Sequence, residues 1–188
     1  MARNTLLRTM HDVGLAAWFG GGLMGAVGLN AAAGAVDDPA QRSRVANTGW
    51  ARWAPVNAAA IGTHLIGATG LLVANRERVR DQEGVAASSA VKTALTAVGL
   101  GVTAYSGLQG AKMAKEGDVR VESGTESRPE TPGVVAAAQQ RLAALQWAIP
   151  AVTGLLIAVS ALQGEQQRPD EQARGRLSRT VRHLNPAA

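Results

Sequence analysis

The chain has 188 residues, 46% hydrophobic and 18% charged, with a formal net charge of +5 and no cysteine. The missing cysteine excludes a disulfide framework, an iron–sulfur cluster, cysteine-ligated zinc and a thiol nucleophile. At 3% aromatic residues the chain is also too poor in rings for the stacking platforms of single-strand binders. The mean hydropathy of +0.01 is ordinary, but charge is distributed unevenly. Val13–Val36, Trp53–Asn75, Thr93–Ala111 and Leu142–Gly164 contain no Asp, Glu, Lys or Arg. Since about 20 mostly apolar residues cross a bilayer core, these runs predict an all-α, four-transmembrane-helix bundle.

In chain order, the first span is expected at about residues 5–36, behind a short basic start with Arg3 and Arg8. Ala33-Gly34-Ala35 resembles a signal cleavage site, but the uncharged stretch is too long for a signal h-region of about 7–15 residues, so a retained helix is expected. A polar loop with Asp37, Asp38 and Pro39 leads to a second span at about 53–76, which opens on Trp53 with Pro55 in its first turn. The run Asn75–Glu83 makes a short connection to a third span at about 86–112, in which Lys92 snorkels outward. Lys112–Gly133, with five acidic residues and two prolines, reads as a flexible acidic loop. The fourth span is expected at about 135–164. Residues 1–164 are thus read as the transmembrane domain and 165–188 as a basic cytoplasmic tail. That tail can be drawn either as a helix on the anionic inner leaflet or as disordered chain.

The positive-inside rule orients the bundle with both termini in the cytoplasm. This places most of the 19 Lys and Arg residues inside, including Arg76, Arg78, Arg80 and the tail arginines. Trp50, Trp53, Tyr105 and Trp147 then fall at the outer boundary as an aromatic belt. The concentrated basic stretches flank spans or end the chain, which favours lipid contact over nucleic acid. Trp53-Ala-Pro-Val and Trp147-Ala-Ile-Pro echo one another, as Trp and Pro near membrane interfaces often do.

Helices in lipid associate through close backbone approach and interhelical hydrogen bonds. Gly21, Gly25, Gly62, Gly67, Gly99, Gly107 and Gly154 supply the small residues for packing. Polar residues fall at two depths. Asn30, Asn57, Tyr105, Gln109 and Gln146 form a possible outer polar cluster, read as structural hydrogen bonding or as a small-solute vestibule. Asp12 and Lys92 form a possible inner ion pair, or else each reaches water at the headgroups. His64 lies eleven residues before Asn75, about 16 Å deeper than the inner end of its helix, whereas His11 is placed at that boundary. The two are therefore not expected to share one haem or metal centre, and a lone intramembrane His is more often a hydrogen-bonded core residue. No catalytic constellation, proton relay or P-loop is present in the sequence.

His11-Asp-Val-Gly-Leu-Ala-Ala-Trp18-Phe-Gly20-Gly21, a His-x6-Trp-x-Gly-Gly spacing, resembles the first helix of copper-resistance D type membrane domains. The whole chain is similar to uncharacterised actinobacterial four-helix membrane proteins. The copper-resistance resemblance implies metal import or a metal- or haem-associated membrane role, carried by His11, Trp18, Gly20 and Gly21. No methionine-rich or cysteine copper motif accompanies it. The expectation is a small, non-enzymatic scaffold or accessory protein of the bacterial cytoplasmic membrane, without a cofactor, associating with itself or a larger complex. The rivals are a haem- or copper-handling protein, with His11 and His64 as candidate ligands, and a small-solute permease.

Overall fold

The computed structural model describes residues 4–81 and 83–165. The tail, drawn above either as a helix or as disordered chain, lies outside the described residues. The fold is all-α, with four helices long and apolar enough, by length and composition, to cross a membrane. They are α1 (Thr5–Gly34), α2 (Pro39–Ala74), α4 (Glu83–Lys115) and α5 (Gly133–Glu165), with the short α3 (Arg76–Asp81) between α2 and α4. An even number of crossings brings both ends of the described chain to one end of the bundle, here called the open end.

Two expectations are corrected. The second long helix starts at Pro39 instead of Trp53. Asp38 caps it by accepting from Ala40 N–H at 2.9 Å, and Pro39 occupies the first turn. Pro55 consequently lies in the helix interior. An Asp-Pro pair is a strong start signal because the cap oxygen satisfies a free N–H and proline has none to lose. Charge marks where a helix leaves hydrocarbon, not where it ends, and Arg42 and Arg44 ride on helical turns beyond that limit.

The second correction concerns the acidic loop, which is a folded cap. Val121 is fully buried against Met113, Val135 and Ala138. Val121 N–H donates to Pro39 O at 3.2 Å and Gly124 N–H to Asn30 O at 3.1 Å. The buried hydroxyl of Ser43 accepts from Val119 N–H, and Arg42 donates to the carbonyls of Val36 and Glu122. Arg44 pairs with Asp118, and its donated hydrogen bonds hold that carboxyl below the usual carboxylate range. Asp118, Glu122 and Glu130 thus face arginines of α2 or of the cap itself, Glu122 meeting both Arg42 and Arg128. Composition alone gives only the absence of apolar periodicity.

α1 packs along α2, α4 along α5, and α1 crosses α5 to join the two pairs, whereas α2 and α4 barely meet. Two glycines allow α1 and α2 to touch backbone to backbone. A Cβ on Gly14 would lie 2.5 Å from Ala60 O, and one on Gly67 would lie 2.4 Å from His11 N. The joint between pairs is the buried cluster Leu15, Trp18 and Leu156, with Trp18 Nε1 donating to Thr103 Oγ1 at 3.0 Å.

The glycines of α2 separate two kinds of small residue. Gly67→Val forces backbone apart and is expected to destabilise by about 1–3 kcal/mol, the usual range for overpacking. Gly62→Val meets nothing within 4 Å and is expected to leave stability unchanged or slightly raised. Denaturant-induced unfolding in mixed micelles checks both.

Candidate functional site

His11 and His64 are brought together. Their ring centroids are 4.5 Å apart with the planes inclined at 47°, and Trp18 lies 6.1 Å from His64. This corrects the depth expectation that separates them by two turns. That expectation puts the membrane edge at the charge of Asp12, inside a helix that runs back to Thr5 as the sequence predicts. The Gly14 and Gly67 contacts then set His11 beside the turn of α2 that carries His64.

Both rings are buried, His11 at 2% and His64 at 0% exposure. Nδ1 of His64 lies 3.1 Å from His11 O, and Nδ1 of His11 lies 2.7 Å from the Asp12 carboxylate. A carbonyl and an ionised carboxylate only accept, so each Nδ1 carries its proton and donates. In the neutral ring with its proton on Nδ1, Nε2 is a lone pair. Neither Nε2 has a hydrogen-bond partner, and both are buried.

Imidazoles that bind metals show this arrangement, with the outer nitrogen tied to a carboxylate or carbonyl and the other free to ligate. Ring spacing discriminates between the centres implied by the sequence resemblance. Two imidazoles on opposite faces of one haem iron hold their ring centres about 6 Å apart, and a tetrahedral ion holds them about 5 Å apart. The observed 4.5 Å is too short for the opposed ligands of a bis-histidine haem. Among the described residues there is no group of three or more His, Cys, Asp or Glu side chains suited to a metal, so the pair offers two protein ligands only.

The expected Asp12–Lys92 ion pair is not formed. Asp12 engages His11, and Lys92 Nζ donates instead to Gln163 Oε1 at 3.3 Å. Gln163 in turn donates to Ser88 Oγ at 2.9 Å and Ser89 Oγ at 3.2 Å. This polar strip links α4 to α5 along one wall of a cavity of about 630 Å³, to which all four long helices contribute at the open end. His11 and Asp12, on α1, line the same cavity.

The outer polar set divides. Asn30 donates to Gln146 Oε1 at 2.9 Å and accepts from Trp50 Nε1 at 2.9 Å, tying α1, α2 and α5 beneath the cap. A π-helical turn at Gly25–Leu29 precedes Asn30, and the extra residue in such a turn rotates the next stretch of helix about its axis. Gln109 is buried and accepts from Arg141, away from that junction, while Tyr105 is 43% exposed. Asn57 is partly buried and its Oδ1 has no partner.

Of the packing glycines, Gly21 and Gly25 seat the rings of Trp53 and Trp50, Gly99 seats Trp18, and a Cβ on Gly154 would lie 3.4 Å from the Phe19 ring. Gly107, like Gly62, has open space around it. Trp50, expected in an interfacial belt, is also a hydrogen-bond donor to Asn30, a role that sequence reasoning missed. The signal is present, since Trp50-xx-Trp53 and Gly21-xxx-Gly25 are each about one helical turn and complement one another on antiparallel helices.

The chain matches no protein-family model, no curated protein and no solved structure.

Replacing Asn30 by Ala removes both side-chain hydrogen bonds of the junction and leaves Trp50 Nε1 without its acceptor. A loss of about 1–3 kcal/mol is expected on unfolding. Tyr105→Leu, at an exposed site, is expected to change stability by less than about 0.5 kcal/mol. The same micelle unfolding assay measures both.

Proposed function

We propose that the chain is a non-enzymatic accessory or scaffold protein of the bacterial cytoplasmic membrane, with both termini cytoplasmic, that assembles laterally with a second copy or a larger complex. The orientation is supported by the excess of Lys and Arg at the termini end of the bundle. One observation carries the lateral reading. Only 6% of the most apolar window of α4 is buried, against 33% for α1.

The uncovered face of α4 is regular. Ala87, Ala90, Ala94, Ala97, Gly101, Ala104, Leu108 and Ala111 are all exposed and follow one another at alternating three- and four-residue steps. That period is the seam of a left-handed helix pair, and small residues along it permit close approach in lipid. Lipid contact alone requires no such pattern. Gly99, one of the packing glycines the sequence points to, faces Trp18 inside the bundle together with Thr103.

Native mass spectrometry from mild detergent is expected to show a stable oligomer or a defined partner. Ala94→Leu with Gly101→Leu, both exposed and outside the cavity lining, is expected to dissociate it without loss of helicity. A monomer in the wild type, or an oligomer indifferent to these changes, removes the lateral reading.

The buried imidazole pair favours a second reading, a membrane protein that handles a transition-metal ion, in keeping with the resemblance of His11–Gly21 to copper-resistance domains. His11 and His64 would hold the ion through Nε2. Borderline ions such as copper or zinc suit imidazole. Stoichiometric retention of copper or zinc after purification, lost in His64→Ala while the fold persists by circular dichroism, is the expected result for this reading. Metal content that is equal in wild type and variant counts against it.

A further inference from the structure

We propose that the open-end cavity is a specific site for an anionic phospholipid, with one acyl chain in its interior and the phosphate on Lys92. The cavity has about 630 Å³, within the range of small-molecule sites, and lies among all four long helices. It is therefore distinct from the outer surface that any lipid wets.

Its chemistry is two-ended. Leu15, Leu65, Leu100 and Ile157 line it toward the middle of the helices, while Arg8 and Lys92 line it toward the open end. Among the described lining residues Arg8 and Lys92 face a single carboxylate, Asp12, whose Oδ1 accepts from His11. By formal charge the described lining carries two cations and one anion. Lys92 is only partly buried, and its single described partner is a neutral amide at 3.3 Å. An ammonium so placed has donors left for a phosphate.

The polarity also runs in the right direction. A lipid entering from the leaflet at the open end brings its headgroup to the level of the charges and its tail toward the apolar end. The separation of α2 from α4 provides the lateral way in. The chain's own terminal segment is a poor rival occupant, because Arg168, Arg174, Arg176, Arg179 and Arg182 make it cationic.

The full chain, reconstituted with equal amounts of phosphatidylglycerol and phosphatidylcholine and released for native mass spectrometry, is expected to retain one phosphatidylglycerol per chain. A basic residue near anionic lipid contributes about a five-fold preference. Lys92→Met is expected to lose that preference and Lys92→Arg to restore it. Ala68→Phe fills the apolar part without altering a charge, and is expected to shed bound lipid while helicity is kept. Equal retention of the two lipids by the wild type, or undiminished retention by Lys92→Met or Ala68→Phe, overturns the assignment. Displacement by an equimolar free fatty acid overturns the phospholipid as occupant. Because these readouts are taken per chain, they do not depend on whether α4 has a lateral partner.

Discussion

The backbone contact between α1 and α2 is the constraint on which most of the structure depends. Between helices in hydrocarbon there is little apolar surface to hide from water, so attraction comes from packing at short range and from hydrogen bonds. Gly14 and Gly67 make that approach possible, each at the point where a Cβ would collide with the other helix's main chain. Once those points are fixed, the remaining register is set as well. Gly21 and Gly25 meet Trp53 and Trp50, Asn30 reaches Trp50, and His11 lies against His64. The imidazole pair is a consequence of helix register, which no inspection of either histidine alone would reveal.

This explains which parts of the fold are legible in the sequence. The four apolar runs are a property of composition, and hydrocarbon imposes composition directly. The ends of the helices are set by capping chemistry and by contacts outside the hydrocarbon, and these differ from the limits of charge. Asp38-Pro39 reads as a turn because the uncharged run begins later, at Trp53. The same substitution of charge boundary for helix boundary places His11 at the membrane edge and separates it from His64. The cap escapes a sequence reading for a different reason. Its order comes from Val121 entering a small apolar cluster and from backbone groups meeting α2, features of tertiary position with no local periodicity.

Polar residues within spans are recognisable as a class, but their pairing is not. Asn30 and Gln146 do meet, yet Gln109 finds Arg141 and Tyr105 finds the surface. At the open end Asp12 and Lys92 have suitable charges and similar depth, and still choose other partners. His11 is adjacent in sequence and already oriented toward the Asp12 carboxylate, so that bond needs little ordering of side chains. A Lys–Asp pair across the cavity would have to fix two flexible side chains at once, a cost of the same order as the gain from a partly solvated ion pair.

The asymmetry between the two halves of the bundle has a common origin. α1 and α5 are each held on two sides, α1 by α2 and α5 and α5 by α4 and α1, and α1 is also the most buried. α4 is held chiefly by α5, so its remaining circumference divides between the cavity and the exposed small-residue face. Lys92 and Ala94 lie two positions apart on this one helix, the first lining the cavity and the second exposed on the outside. A rigid α1–α2 pair with its hydrogen-bonded cap therefore serves as the fixed part of the molecule. Whatever occupies the cavity or covers the outer seam acts on the same helix, the one with the fewest internal contacts to oppose it.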